Sequence, residues 1–259
     1  MASKNRNAEW LLSLVALVAG GAAPILMLLS ATTYVMVRGL PPAPDMMAMM
    51  MNLIMRAHKA MALYLPWVLL PSLIILGLVI LYSSTQFPRL FNRIWAGLAA
   101  GFVASFALDA IRYPVGVGME TLPGDLPTMF GMMITGTMPA TAGVIFIGYI
   151  YHFLNGASFG LIYTLIAGKV RWYWGLAWGL IVELLMMTTP PMLVMGVGPF
   201  GINPPWWPKL FLTTLAAHVA LGVVLGLLAQ RWVKEEGTIF SLFGESTGSK
   251  RIISEQHSH

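Results

Sequence analysis

Long stretches without formal charge dominate this chain and decide what it can fold into. Residues 10–37 carry none, nor do the residues between Lys59 and Arg89 or those between Lys209 and Arg231. Three more stretches run from after Arg93 to about Tyr113, over 140–167 and over 172–189, interrupted only by Asp109, Arg112 and Glu183. A membrane span needs about 20 apolar residues to cross a hydrocarbon core ~30 Å thick. Backbone groups in hydrocarbon must find partners inside the segment, which leaves helices or a closed barrel. Barrel strands would show alternating segments of about ten residues, and none is present. The chain reads as an all-α, polytopic integral membrane helical bundle with about six transmembrane helices. Composition agrees: 10% of residues are charged, against about 25% in a soluble domain.

Basic residues mark the helix ends. Lys4, Arg6, Arg89, Arg93, Lys169, Arg171, Arg231 and Lys234 fall on one side, and Arg38, Arg56, Lys59, Arg112 and Lys209 on the other. The richer side is expected to be cytoplasmic, which places both termini there, in a bacterial inner membrane. Lys4 and Arg6 precede an apolar run as in a signal peptide, but the run exceeds an h-region of ~7–15 residues and reads as a retained first span. The net charge of +5 is thus a topology signal, not a nucleic-acid footprint. Cysteine is absent, which removes disulfides, thiolate metal sites and Cys nucleophiles. The tail from Glu235 is polar and is expected to be mobile.

Three loops fall on the opposite, outer side. The loop over 41–60 opens with prolines and runs on as a Met-rich segment behind Asp45, which is placed as a helix N-cap. The loop over 118–139 and the Pro-, Gly- and Trp-rich loop over 190–208 also carry methionines. Thioethers select Cu(I), so an outer Met cluster with His58 is one reading. Flexible hydrophobic packing is the plainer one and is preferred.

The second half repeats itself. Gly97 and Gly101 recur as Gly175 and Gly179, and His152, Gly156 and Gly160 recur as His218, Gly222 and Gly226. The expected organisation is two extra spans over 1–90, a four-helix core of two similar pairs over 91–232, and the tail over 233–259. Glycines four apart share a helix face and admit another backbone or a flat ligand.

Asp109, His152, Glu183 and His218 put one ionisable residue into each of the last four spans. At ~1.5 Å per residue, all four lie between the midplane and the outer third of the core. Ionisable groups there face a partner or a cavity. Four readings stand. The set binds a transition metal ion; or His152 and His218 ligate haem b, with Gly156, Gly160, Gly222 and Gly226 making room for the porphyrin; or the set carries protons or ions; or two polar pairs fix the packing. Arg112 is spaced to pair with Asp109, and Asn155 to orient His152.

The residues Trp174-Gly-Leu-Ala-Trp-Gly179, Glu183-Leu-Leu, Pro190-Pro191, Gly196, Pro204-Pro-Trp-Trp207 and His218 with its glycines resemble the YagU-like family of bacterial inner-membrane proteins. The likeness covers about residues 93–234 and implies a four-helix membrane core, with no activity attached. No Walker A loop, dinucleotide fingerprint, His-Glu-x-x-His motif or Gly-x-Ser-x-Gly elbow occurs. The partners expected are the lipid bilayer and a larger membrane complex or a second copy of the chain, in which this protein would be an accessory subunit without catalysis of its own.

Overall fold

A computed structural model describes residues 2–239. Among them every regular element is helical, and six helices are long and apolar enough to cross a membrane. The spans are α1 (Arg6–Arg38), α2 (Met46–Gln86), α3 (Pro88–Val117), α5 (Ala142–Ala167), α6 (Tyr173–Thr188) and α8 (Lys209–Trp232). Two short helices, α4 (Leu126–Thr135) and α7 (Pro190–Val194), lie in the connections. The end of the bundle that holds residues 39–45, 118–141 and 189–208 is called the loop side, and the other the tail side.

The Met-rich segment is not a loop. Asp45 caps it, with its carboxylate accepting the Ala48 N–H at 2.8 Å, and Met, Ala and Leu are strong helix formers. The helix therefore continues unbroken into the second span, 41 residues in all. That is about 60 Å of helix, twice the hydrocarbon thickness. Prolines inside the spans are absorbed by widened, π-helical turns at Leu17–Ala22 before Pro24, at Leu65–Leu69 around Pro66, and at Arg112–Val117 around Pro114. A proline lacks its N–H and clashes with the carbonyl four residues back, and a widened turn accommodates both defects.

The core is a row. Its helices stand in the order α6, α8, α3, α5, with α4 laid against the loop-side half of α5. Glycine makes the two outer pairings of this row. A Cβ on Gly101 would run into the Gly156 carbonyl, and one on Gly160 into the Gly97 carbonyl. In the other pair, a Cβ on Gly175 would meet the Cα of Gly226, and one on Gly226 the Trp172 carbonyl. The middle pairing, α3 on α8, uses alanine: Ala96, Ala100 and Ala104 meet Ala217, Leu221 and Leu225.

The first two spans are keyed to this row by tyrosines. The Tyr151 hydroxyl of α5 donates to the Pro24 carbonyl at 2.8 Å and accepts the Leu28 N–H at 3.1 Å. In a regular helix those two backbone groups bond each other, so the phenol is inserted into the ladder of α1. Tyr64 of α2 donates to the neighbouring Ala23 carbonyl at 3.0 Å. On the loop side α7 packs back onto α1.

The start of the polar tail is held, contrary to the expectation of a loose end. Val233 and Ile239 are buried. The buried Arg93 guanidinium donates to the carbonyls of Glu235, Glu236 and Gly237. Asn92 brackets the same segment, donating to the Trp232 carbonyl at 3.1 Å and accepting the Lys234 N–H at 2.9 Å. The rest of the tail, 240–259, lies outside the described residues.

Two outcomes are expected in thermal unfolding of the purified protein in detergent. Gly101→Val, which drives a branched side chain into the Gly156 carbonyl, destabilises by about 1–3 kcal/mol or more, whereas Gly77→Ala, with nothing within 4 Å of the added carbon, stays within about 0.5 kcal/mol. Tyr151→Phe lowers stability by about 1–3 kcal/mol, because it strands a buried carbonyl and N–H together.

Candidate functional site: two carboxylate–imidazole pairs on one cavity

Each carboxylate of the core meets the histidine of its own helix pair. Asp109 of α3 lies 3.2 Å from His152 Nε2 of α5. Glu183 of α6 lies 2.8 Å from His218 Nδ1 of α8. The four residues therefore form two pairs, and no group of three His, Cys, Asp or Glu able to hold a metal ion occurs among the described residues. Of the readings open from the sequence, this arrangement matches the two polar pairs and does not bring the four residues together as one metal-ligand set. The cause is the order of the row: each histidine helix brings its ring to the carboxylate across its own glycine contact.

The Asp109 pair belongs to a wider network. Arg112 Nε donates to Asp109 at 2.8 Å, and Arg112 Nη1 donates to Asp125 at 2.8 Å. Asp125 also caps α4 through the Thr128 N–H at 3.1 Å and accepts from Tyr149 at 3.3 Å. One guanidinium is thus shared by two carboxylates. Its Nη2 is buried with no hydrogen-bond partner.

The Glu183 pair is more deeply enclosed. Glu183 is 1% exposed and His218 6%. The Thr214 hydroxyl donates to Glu183 Oε1 at 2.7 Å, and the Thr214 carbonyl lies 2.9 Å from His218 Nδ1. Nδ1 therefore faces two oxygens, and Glu183 Oε2 is left without a well-aligned hydrogen bond despite the short distance. Because the Thr214 carbonyl can only accept, Nδ1 carries the proton and donates to it, and Glu183 Oε2 lies 2.8 Å from the same nitrogen.

Both histidines line one cavity of about 250 Å³ in the loop-side half of the bundle. Ser105, Arg112, Asn155, Thr189 and Thr214 add polar groups to its wall, and most of the remainder is apolar, including Leu28, Phe130 and Phe159. Leu185 lines it too and is 56% exposed, so the cavity opens at the flank of α6 toward the outside of the bundle. Tyr163 and Trp178, with ring centroids 6.4 Å apart, bring α5 and α6 together on its tail side.

Other expected site residues are placed differently. The space beside Gly156, Gly160, Gly222 and Gly226 is taken by helix backbone or by Ser105, so these glycines pack helices and leave no slot for a porphyrin. His152 Nε2, the nitrogen that an axial ligand would present, is buried against Asp109, and the residues do not fit haem b held between two histidines. Asn155 donates to the Tyr151 carbonyl at 3.0 Å, closing on its own helix instead of orienting His152. His58 Nδ1 sits 3.0 Å from the Ile134 carbonyl and 3.3 Å from that of Met133, so it caps the end of α4. Met46 and Met47 point outward, 68% and 65% exposed.

Asp125 and Thr214 escaped the sequence reading. The signal for Asp125 was Asp125-Leu-Pro-Thr128, a capping pattern with an acid positioned to do more than cap. That for Thr214 was its place one turn before His218.

Comparison with protein-family models, with curated proteins and with solved structures gives no match.

Arg112→Met would leave Asp109 and Asp125 facing each other without their shared cation. It is expected to cost about 3–5 kcal/mol in thermal unfolding, and adding Asp109→Asn should recover part of that loss. If Arg112→Met is neutral, the guanidinium is not what holds the two carboxylates.

Proposed function

We propose that this chain is a proton-carrying membrane protein in which the pairs Asp109–His152 and Glu183–His218 take up and release protons beside a shared cavity. One observation carries the reading: two imidazoles, one backed by the buried Glu183 and the other by the partly buried Asp109, line the same space inside a membrane-spanning bundle. Ionisable groups at that depth are costly, and packing alone would be served by apolar side chains. At the Glu183 pair a carboxylate oxygen stands 2.8 Å from the imidazole Nδ1, close enough for a proton to pass from one to the other. A metal-binding role has less support, since each pair offers only two ligands. Membership of the YagU-like family is part of the same proposal. It is supported by the glycine, proline and histidine motifs of residues 93–234.

The test is proton flux into liposomes that contain the purified protein and an entrapped pH-sensitive dye. Under an imposed pH gradient, the wild-type protein is expected to equilibrate the lumen faster than empty vesicles do. Glu183→Gln, which keeps the shape and removes the titrating oxygen, should fall to the empty-vesicle rate while unfolding at an unchanged temperature. Equal rates for wild type and Glu183→Gln would sink the proposal.

A further inference from the structure

The charges around the cavity do not balance. Asp109 and Arg112 come from α3, Asp125 from the turn before α4, His152 and Tyr149 from α5, Glu183 from α6 and His218 from α8. The stretch of α1 that completes the wall supplies Ile25, Leu28 and Leu29 and no charge. With both imidazoles neutral, three carboxylates stand against one guanidinium. Two positive charges are missing, and protonating both imidazoles supplies them.

Protons are not the only cations that can do so. The cavity wall is mostly apolar and presents the rings of Phe130 and Phe159, and aromatic faces attract a cation whose hydration has been stripped. Its mouth at Leu185, on the flank of a helix that would face lipid, favours a ligand that partitions into the bilayer. Size sets a further bound. A cavity of about 150 Å³ holds benzene, so 250 Å³ suits a body somewhat larger than one ring. An anion fits poorly, because Arg112, the permanent cation at the cavity among the described residues, is already shared between two carboxylates at 2.8 Å each.

We propose that the cavity binds a small lipophilic cation, a substituted ammonium on an apolar body, in competition with the protons of His152 and His218. This rests on the reading of the two pairs as proton carriers and names what they exchange for. Binding requires that the cation's charge replace at least one imidazolium proton, which leaves to solvent. No bond other than N–H is broken.

The probe is benzyltrimethylammonium, titrated calorimetrically into the full-length protein in detergent, with a pH indicator in weak buffer to count released protons. Its uncharged isostere, neopentylbenzene, and the anionic benzylsulfonate are the controls. The cation should bind at least about tenfold tighter near pH 8 than near pH 5.5, and should release protons on binding near pH 5.5. Leu185→Trp, a change at the lipid-facing mouth, should abolish cation binding in a protein that unfolds at the wild-type temperature. Glu183→Gln should weaken binding near pH 8. The inference is overturned if neopentylbenzene binds as well as the cation, if benzylsulfonate is preferred, or if cation affinity is independent of pH. Persistent proton flux in the liposome assay without any cation binding would remove this inference alone. Loss of the flux would remove the proton-carrying reading beneath it.

Discussion

Two helices in hydrocarbon gain little by hiding apolar surface from a solvent that is itself apolar. What holds them is close contact, and the closest contact is backbone on backbone. The core row makes it at both outer pairings, through Gly97 and Gly101 against Gly156 and Gly160, and through Gly175 and Gly179 against Gly222 and Gly226, and Gly131 against Gly148 seats α4 on α5 in the same way. The rest of the core follows from these crossings. They fix the separation and rotation of α3 with α5 and of α6 with α8, and each histidine lies one turn from a glycine of its crossing. The imidazole is therefore delivered to the carboxylate on the facing helix by a contact that has no side-chain freedom to lose. With larger residues at those positions the same polar groups would stand too far apart to meet.

The two pairs differ in a way that suits different tasks. Asp109 shares Arg112 with Asp125, and through the cap of α4 it is tied to the loop side of the bundle. A charge change there is felt by a short helix packed on α5. Glu183 meets His218 and Thr214 and is almost sealed. Of the two, it is the pair in which the position of a single proton decides whether the local contacts are attractive.

Much of the fold was legible because the bilayer imposes a simple grammar. The number of spans followed from charge-free length, and the cap at Asp45 from residue type and position. The ionisable layer was visible too, since four such residues in the last four spans stand out against their surroundings. Their partners were not. Periodicity says which residues share a face of one helix, but not which neighbour that face meets, and a four-fold cluster and two pairs look identical along the chain. The fate of the glycines was undecidable for the same reason: a small-residue face admits a backbone or a ring equally well. A helix behind the Asp45 cap was legible in the Met-rich run; that it continues unbroken into the second span was not, because the run was set apart as an outer segment. Asn155 bonded its own helix, the nearest acceptor winning over the more distant ring.

The tail segment has a bearing on how the molecule is assembled. Arg93 sits at the tail-side end of α3, buried, and the carbonyls that satisfy it belong to residues 235–237. Those residues follow the last span and are the last of the described chain to be made. Throughout synthesis the third helix therefore carries a guanidinium that has not met its acceptors and that must stay in contact with water or lipid headgroups. The final turn of α8 and the strap behind it close over that charge once the sixth span is in place. A chain cut short before residue 235 would retain every helix and every glycine crossing, yet leave this seam open, with its order of completion written into the polarity of translation.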